Sequence, residues 1–401
     1  MPRASLELAS IFARFGAAYR QSHRLPREHL RTLRAIELCR TAALGGHVEQ
    51  CCQCSFTRIA YNSCRNRHCP KCQSLDRAEW VAARQADLLP VEYFHVVFTI
   101  PAAAAEVALQ NPAAVYNLLF QTTAETLLTI ARDPKHLGAE IGFFALLHTW
   151  GQNLLHHPHL HCVVPGGGLS PDGTWVSCRP GFFLPVRVLS RLFQRLFTKG
   201  LARLYQKQEL RFHGTLAHLA SPQPWARLLA KLGAKPWVVY AKPPLGGPGQ
   251  VLEYLGRYSH RVAISNQRLL SMDETSVTFQ WKDYRQPGRS KRMQLTGEEF
   301  IRRFLLHILP LRFQRIRHYG LLSNRRRKGA LAECRRQLGA GVTDLLPSLE
   351  ECQAVVERVR TESLHRCPAC RTGLLLVVEM ISPRRYGERV ERVEPVGVNS
   401  S

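Results

Sequence analysis

The chain has 401 residues, in which 55 Lys and Arg stand against 30 Asp and Glu, a formal charge of +25 at pH 7. That excess points to a polyanionic partner, nucleic acid first and a membrane surface a weaker second. No apolar run approaches the roughly 18 residues of a membrane span, and neither a secretory signal nor a lipidation motif opens the chain, so no membrane partner and a cytoplasmic location are expected. In that setting 13 Cys suggest metal ligation rather than a disulfide framework.

Residues 5–44 are predicted to form two amphipathic helices, carrying Leu6, Leu8, Ile11, Phe12 and Phe15, then Leu30, Leu33, Ile36 and Leu38. Cys39, His47, Cys51, Cys52, Cys54, Cys64, His68, Cys69 and Cys72 follow closely. The Cys51/Cys54 and Cys69/Cys72 pairs have the spacing that wraps two thiolates around one tetrahedral zinc. The composition predicts about 0.4 such pairs by chance, and the chain holds three. The expected structural site is therefore Cys51, Cys54, Cys69 and Cys72, with Cys39, His47, Cys64 and His68 as a second set, giving one or two zinc ions. Arg65, Arg67 and Lys71 between the knuckles suit nucleic-acid backbone contact. A helix over 75–89, stopped by Pro90, leads out.

Tyr93–Pro101 is predicted as a central strand, and 112–131 as an amphipathic helix. Residues 141–149 and 157–164 form two more strands, joined as a hairpin through a turn containing Gly151, Gln152 and Asn153. On the second of these His157, His159, His161 and Val163 share one face, while Leu160, Cys162 and Val164 share the other. His159 and His161 can aim two ring nitrogens at one divalent ion, although roughly 0.7 His-X-His pairs are expected by chance. His148, brought near His161 across the hairpin, is the expected third ligand, and Gln152 the alternative.

A helix is predicted over 186–208 and a strand over 237–241, stopped by the loop Pro243–Gly249. Residues 251–261 read as a helix with Tyr254 and Tyr258 one turn apart and Arg257 and Arg261 as a neighbouring pair. Strands around 277–281 and 291–295 and a helix over 297–309 come next. Arg315, Arg317, Arg325, Arg326 and Arg327 then interleave with Phe313 and Tyr319, a pattern that suits single-stranded DNA. Cys367 and Cys370 form a third knuckle, for which Cys352 or His365 are possible completing ligands, before a polar tail.

Together, Asn62–Gln73, Leu147–Gln152, His157–Cys162, Tyr254–Asn266, Phe300–Pro310 and Arg315–Gly320 resemble the HUH endonuclease superfamily. Within it the chain is most similar, over about residues 10–340, to the two-tyrosine rolling-circle transposases of bacterial insertion sequences, which carry an N-terminal zinc-binding domain. The resemblance implies an enzyme that cuts and rejoins single-stranded DNA through 5′-phosphotyrosine links. Tyr254 and Tyr258 would be its nucleophiles, His159 and His161 would hold Mg²⁺ or Mn²⁺, and Arg257 and Arg261 would clamp phosphate. Element-end hairpins or duplex would be further partners, with the protein on the nucleoid when DNA-bound. A plasmid relaxase or replication initiator, and a non-catalytic zinc-containing DNA-binding regulator, are the alternatives.

The expected fold class is α+β: a central antiparallel sheet with flanking helices over 91–290, a small helical zinc domain over 1–90, a basic helical extension over 291–345 and a C-terminal tail over 346–401.

Overall fold

In a computed structural model of the chain the described residues are 6–72, 84, 87–245, 251, 262–283, 289–339 and 366–383. Helices α1 (Leu8–Ser22) and α2 (Arg27–Glu37) lead into the hairpin β1 (Gly46–Cys51) and β2 (Thr57–Tyr61). Strand β3 (Tyr93–Thr99), helices α3 (Ala102–Gln110) and α4 (Pro112–Arg132), and strands β4 (Gly142–Trp150) and β5 (His156–Pro165) follow. A small ribbon, β6 (Gly167–Leu169) with β7 (Trp175–Ser177), precedes α5 (Val186–Gln206), α6 (Pro222–Gly233) and β8 (Val239–Leu245). The remainder is a meander of β9 (Leu269–Met272), β10 (Ser276–Lys282) and β11 (Ser290–Thr296), then α7 (Gly297–Leu305), β12 (Ile316–Gly320), α8 (Arg327–Gln337) and β13 (Leu375–Ile381). The class is α+β, as the residue patterns predict. The helix expected over 75–89 lies largely outside the described residues.

The central sheet is antiparallel throughout, in the order β12-β4-β5-β3-β8. Period-two alternation divides its faces. Phe94, Val96 and Phe98 of β3, Phe143, Ala145 and Leu147 of β4, and Leu160, Cys162 and Val164 of β5 all enter one core. Val115, Leu119 and Leu127 of α4 and Leu189, Phe193 and Phe197 of α5 close it, at the helical spacing that predicts those helices. Strand β8 runs on through Pro243 and Pro244, where the sequence suggests a loop. It is an edge strand, so an imide nitrogen without a proton need not break a ladder bond.

Residues 316–320, expected within a helical extension, instead form the other edge strand of this sheet and pair with β4. Gly320 makes the close approach possible: its φ is +58°, and a Cβ there would lie 2.0 Å from the carbonyl oxygen of Ile141. Packing also runs across residues 90/91 and 290/291. Leu8, Ile11, Phe12, Leu33 and Ile36 of the N-terminal helices share a second core with Val277 and Phe279 of β10 and with Phe300, Ile301 and Phe304 of α7. Two short amphipathic helices cannot bury their apolar stripes on each other alone, so they take this distant partner.

The two cores meet at His307, which is buried, donates from Nε2 to the carbonyl of Leu154 at 3.0 Å and lies 3.3 Å through Nδ1 from Thr149 Oγ1. Burial pushes its pKa down to about 3, and burial likewise pushes His318 of β12 down to about 4. The unfolded chain therefore binds protons below pH 6.5 that the fold refuses, so stability is complete above that pH and falls as pH drops through the window. Thermal melting should move to lower temperature between pH 7 and pH 5, with on the order of 2 kcal/mol from His307 alone, and His307→Gln should flatten the slope. Phe304 packs edge-on against Phe12 with ring centroids 5.1 Å apart. Phe304→Ala should cost about 3–5 kcal/mol in denaturant unfolding, whereas Leu311→Ala, at an exposed position, should cost under about 0.5 kcal/mol.

Candidate metal centres and catalytic face

The sheet face opposite the first core carries the histidines. On β5 the same alternation that sends Leu160 and Cys162 inward turns His159 and His161 to this face. Register places His148 of β4 directly opposite His159, and Leu146 opposite His161. The imidazole of His148 nevertheless leans toward His161, with ring centroids 4.6 Å apart against 5.6 Å to His159. One nitrogen from each of His148, His159 and His161 falls within 4.8 Å of the others, so the trio can hold one cation. His148 and His161 are buried and His159 is half-buried, so His159 is the member most open to an incoming group. Gln152 lies beyond β4 in the turn, where its backbone carbonyl accepts from the guanidinium of Arg268.

Two contacts decide which nitrogens face the cluster. His159 Nδ1–H donates to the carbonyl of His157 at 2.7 Å; a carbonyl can only accept, so in the neutral ring Nε2 keeps the lone pair. His161 Nδ1 lies 2.8 Å from Nε2 of His95, a buried residue on β3, which leaves Nε2 of His161 for a ligand. His148 is held by stacking on Trp150, centroids 4.6 Å apart. Sequence reasoning missed His95. It sits in an almost continuous apolar run, and only the β3–β5 pairing, His95 opposite Val163 and Val97 opposite His161, brings it beside the site.

The cysteines form two clusters, partitioned differently from the expectation. Cys39, Cys64, Cys69 and Cys72 make one and Cys51, Cys54, Cys367 and Cys370 the other, with sulfurs within 4.8 Å in each. The Cys51/Cys54 and Cys69/Cys72 knuckles do not share a site because β2 separates them: the first knuckle lies at the turn of the β1–β2 hairpin and the second beyond its open end. Five residues of strand span about 17 Å. His47 belongs to neither cluster; it meets the carboxylate of Glu49 at 3.1 Å, and it stands four steps along strand β1 from Cys51, a rise of about 13 Å. His68 turns away from Cys69 to line a small cavity with Thr149, Trp150 and His307. In the first cluster Cys39 and Cys64 lie 3.4 and 3.5 Å from Cys72. A tetrahedron of 2.3 Å zinc–sulfur bonds has sulfur–sulfur edges of about 3.8 Å, so four thiolates at these separations fit zinc. Contacts from Cys39, Cys64 and Cys69 lower the pKa of Cys72 and favour its thiolate.

Many of the expected DNA-binding cations serve the fold. Arg67 donates to the carbonyls of Leu309, Pro310 and Phe313, tying the zinc loop to the chain beyond α7. Lys71 pairs with Glu7 at 2.8 Å. Arg317 lies over Phe120 and Phe313, at 4.2 and 5.1 Å, and bonds Asn117. Arg326 grips both oxygens of Glu140 at 2.8 and 3.0 Å, and Arg327 meets Asp87 at 3.4 Å. Arg315 lines the cavity beside His68, while Arg65 and Arg325 are exposed. Tyr254, Tyr258, Arg257 and Arg261 lie outside the described residues. Their two flanks are informative. Val251 is buried among Tyr93, Phe144 and Val163, on the histidine side of the sheet. Val262 and Ala263 lie against Thr149 and Trp150, at the end of β4 that carries His148.

Residues 142–329 match a family described as "Putative transposase", and residues 11–100 match one described as "Transposase zinc-binding domain". The chain is 58% identical over 388 residues to "Putative transposase y4qJ" of Sinorhizobium fredii (strain NBRC 101917 / NGR234), covering 95% of this chain and 96% of the relative. It is 28% identical over 297 residues to "Transposase for insertion sequence element IS801" of Pseudomonas savastanoi pv. phaseolicola, covering 73% and 70%. No solved structure shows significant similarity. The chain belongs to the two-tyrosine transposase family of bacterial insertion sequences, and its cysteine-rich N-terminal segment is that family's zinc-binding domain.

Proposed function

We propose that this transposase cuts and rejoins single-stranded DNA, with a divalent cation held by His148, His159 and His161 and with Tyr254 and Tyr258 as nucleophiles. The observation that carries the reading is the convergence of three imidazoles on one sheet face, two with their Nδ1 atoms already engaged. The tyrosine segment adds support: in sequence it lies between Val251, buried on the histidine side of the sheet, and Val262, which lines a cavity at the end of β4 that carries His148.

When bound, the cation would polarise a non-bridging oxygen of the scissile phosphate, which a weak phenol nucleophile of pKa near 10 requires. Three neutral imidazoles suit Mn²⁺ better than Mg²⁺, which prefers oxygen ligands and keeps its waters. One phenol oxygen bonds to phosphorus and loses its proton. The bond from phosphorus to the 3′-oxygen breaks, and that oxygen leaves as a 3′-hydroxyl with a proton taken up. The 5′-phosphotyrosine ester keeps the phosphodiester's energy, so a second 3′-hydroxyl can reverse the step and join strands without a nucleotide cofactor. The other tyrosine serves a second cut while the first is occupied. Arg257 and Arg261 supply phosphate contacts, and the exposed Arg65 and Arg325 backbone contacts. Element-end hairpins or duplex would be held by the same basic surface, within the nucleoid.

His95 acts as a positioning residue: with Nε2 of His161 turned to the cation, Nδ1–H of His161 donates to His95, fixing the ring.

Incubation with Mn²⁺ and a labelled single strand bearing the element's end should give a denaturant-stable protein–DNA adduct. The adduct should disappear in His159→Ala, His161→Ala and the double variant Tyr254→Phe/Tyr258→Phe; no adduct with wild type, or an undiminished one in the tyrosine variant, rejects the mechanism. His95→Phe should weaken Mn²⁺ binding by roughly 10–100-fold, measured by the paramagnetic resonance of free Mn²⁺, while His95→Gln recovers part of it. Unchanged Mn²⁺ affinity in His95→Phe would remove the positioning role.

A further inference from the structure

We propose that Cys51, Cys54, Cys367 and Cys370 bind a second zinc ion, and that this ion fastens residues 366–383 onto the N-terminal hairpin as a working part of the zinc module. The segment matching the transposase zinc-binding domain, residues 11–100, contains only half of this site. The other half arrives from more than 300 positions away in sequence. The inference does not rest on the nuclease chemistry above.

Geometry and donors fit. Cys51 Sγ lies 3.7 Å from Cys370 Sγ, and Cys54 Sγ 3.7 Å from Cys367 Sγ. These separations equal the edge of a four-thiolate zinc tetrahedron, about 3.8 Å, and far exceed a sulfur–sulfur bond of about 2 Å. Backbone amides point at the sulfurs, as thiolates need: Gln53 N–H donates to Cys51 Sγ at 3.4 Å and Gly373 N–H to Cys370 Sγ at 3.2 Å. The second knuckle is closed by Arg371 N–H on the carbonyl of Cys367 and by Cys367 N–H on that of Gly373. A Cβ on residue 373 would lie 2.4 Å from Cys51 Sγ, so only glycine lets the knuckles approach. Cys52, between the first pair, is exposed, accepts from Leu374 N–H at 3.3 Å and stays outside the cluster.

Apolar burial cannot hold this unit together. Strand β13 pairs with β1 from Gly46↔Ile381 to Cys51↔Leu375, forming the sheet β13-β1-β2. Beneath it the buried cluster is Cys51, Cys367 and Leu375, while Leu376, Val377, Val378 and Met380 are more than half exposed. Units this small need a metal or another covalent tie in place of a core. The four thiolates occupy the place where that core would be.

Metal analysis of the full chain after dialysis against zinc-free buffer should find two zinc ions per chain. Cys367→Ser/Cys370→Ser and, independently, Cys51→Ser/Cys54→Ser should each retain one, and Cys52→Ser should retain two. Hydrogen exchange on the same proteins reads the clasp: the amides of Leu375–Ile381 should lose protection in both double variants while those of β3, β4 and β5 keep it, which also establishes that the variants fold. One zinc ion per wild-type chain, two retained in either double variant, or undiminished protection of Leu375–Ile381 would overturn the proposal.

Discussion

The alternation of strand β5 is the constraint on which the molecule turns. Leu160, Cys162 and Val164 are sealed under α4 and α5, and this burial forces His159 and His161 to the opposite face. Both edges of β5 are paired, with β4 and with β3, so it cannot slide without breaking two ladders. A slip of one residue would drive imidazoles into the apolar core and expose Leu160 and Cys162. The same two ladders deliver the outer members of the histidine cluster, His148 from one side and His95 from the other. Site geometry and core packing are thus one interaction seen from two faces.

Around this sheet the rest of the chain is held by ties between distant segments. The first thiol cluster contributes Cys39, Cys69 and Cys72 to the core that also receives α7 and the β9–β11 meander, so the zinc module is built into the body of the protein. Arg67 adds a second tie, capping carbonyls of 309–313 beside that junction. Movement of the cysteine-rich loop would be felt at the end of β4, because His68 shares its cavity with Trp150, which in turn stacks on His148.

The positive charge has two uses. Arg317, Arg326, Arg327 and Lys71 each have a partner inside the fold, an aromatic ring, an amide or a carboxylate. A guanidinium packs flat on an aromatic ring and still bonds through its edge, so arginine can act as structural cement where lysine could not. Exposed groups such as Arg65 and Arg325 keep their charge at the surface, where the proposed DNA contacts would draw on them.

Local patterns were enough to read the helices α1, α2, α4 and α5, the β4–β5 hairpin, the face of His159 and His161, and the abundance of zinc knuckles, because each depends on residues within a few positions of one another. Four features needed the folded chain. Cys51 and Cys54 join Cys367 and Cys370 rather than Cys69 and Cys72 because a hairpin's length carries them apart. Residues 316–320 become a sheet edge because β4 had an open ladder to fill. Arg67 turns inward because carbonyls await it there, and His95 reaches His161 because β3 pairs beside β5. Periodicity and ligand spacing are written locally and so were determined by the sequence itself. Which knuckle meets which, which arginine is sequestered and which histidine supports another were decided by strand pairing and core formation between segments as much as 335 residues apart.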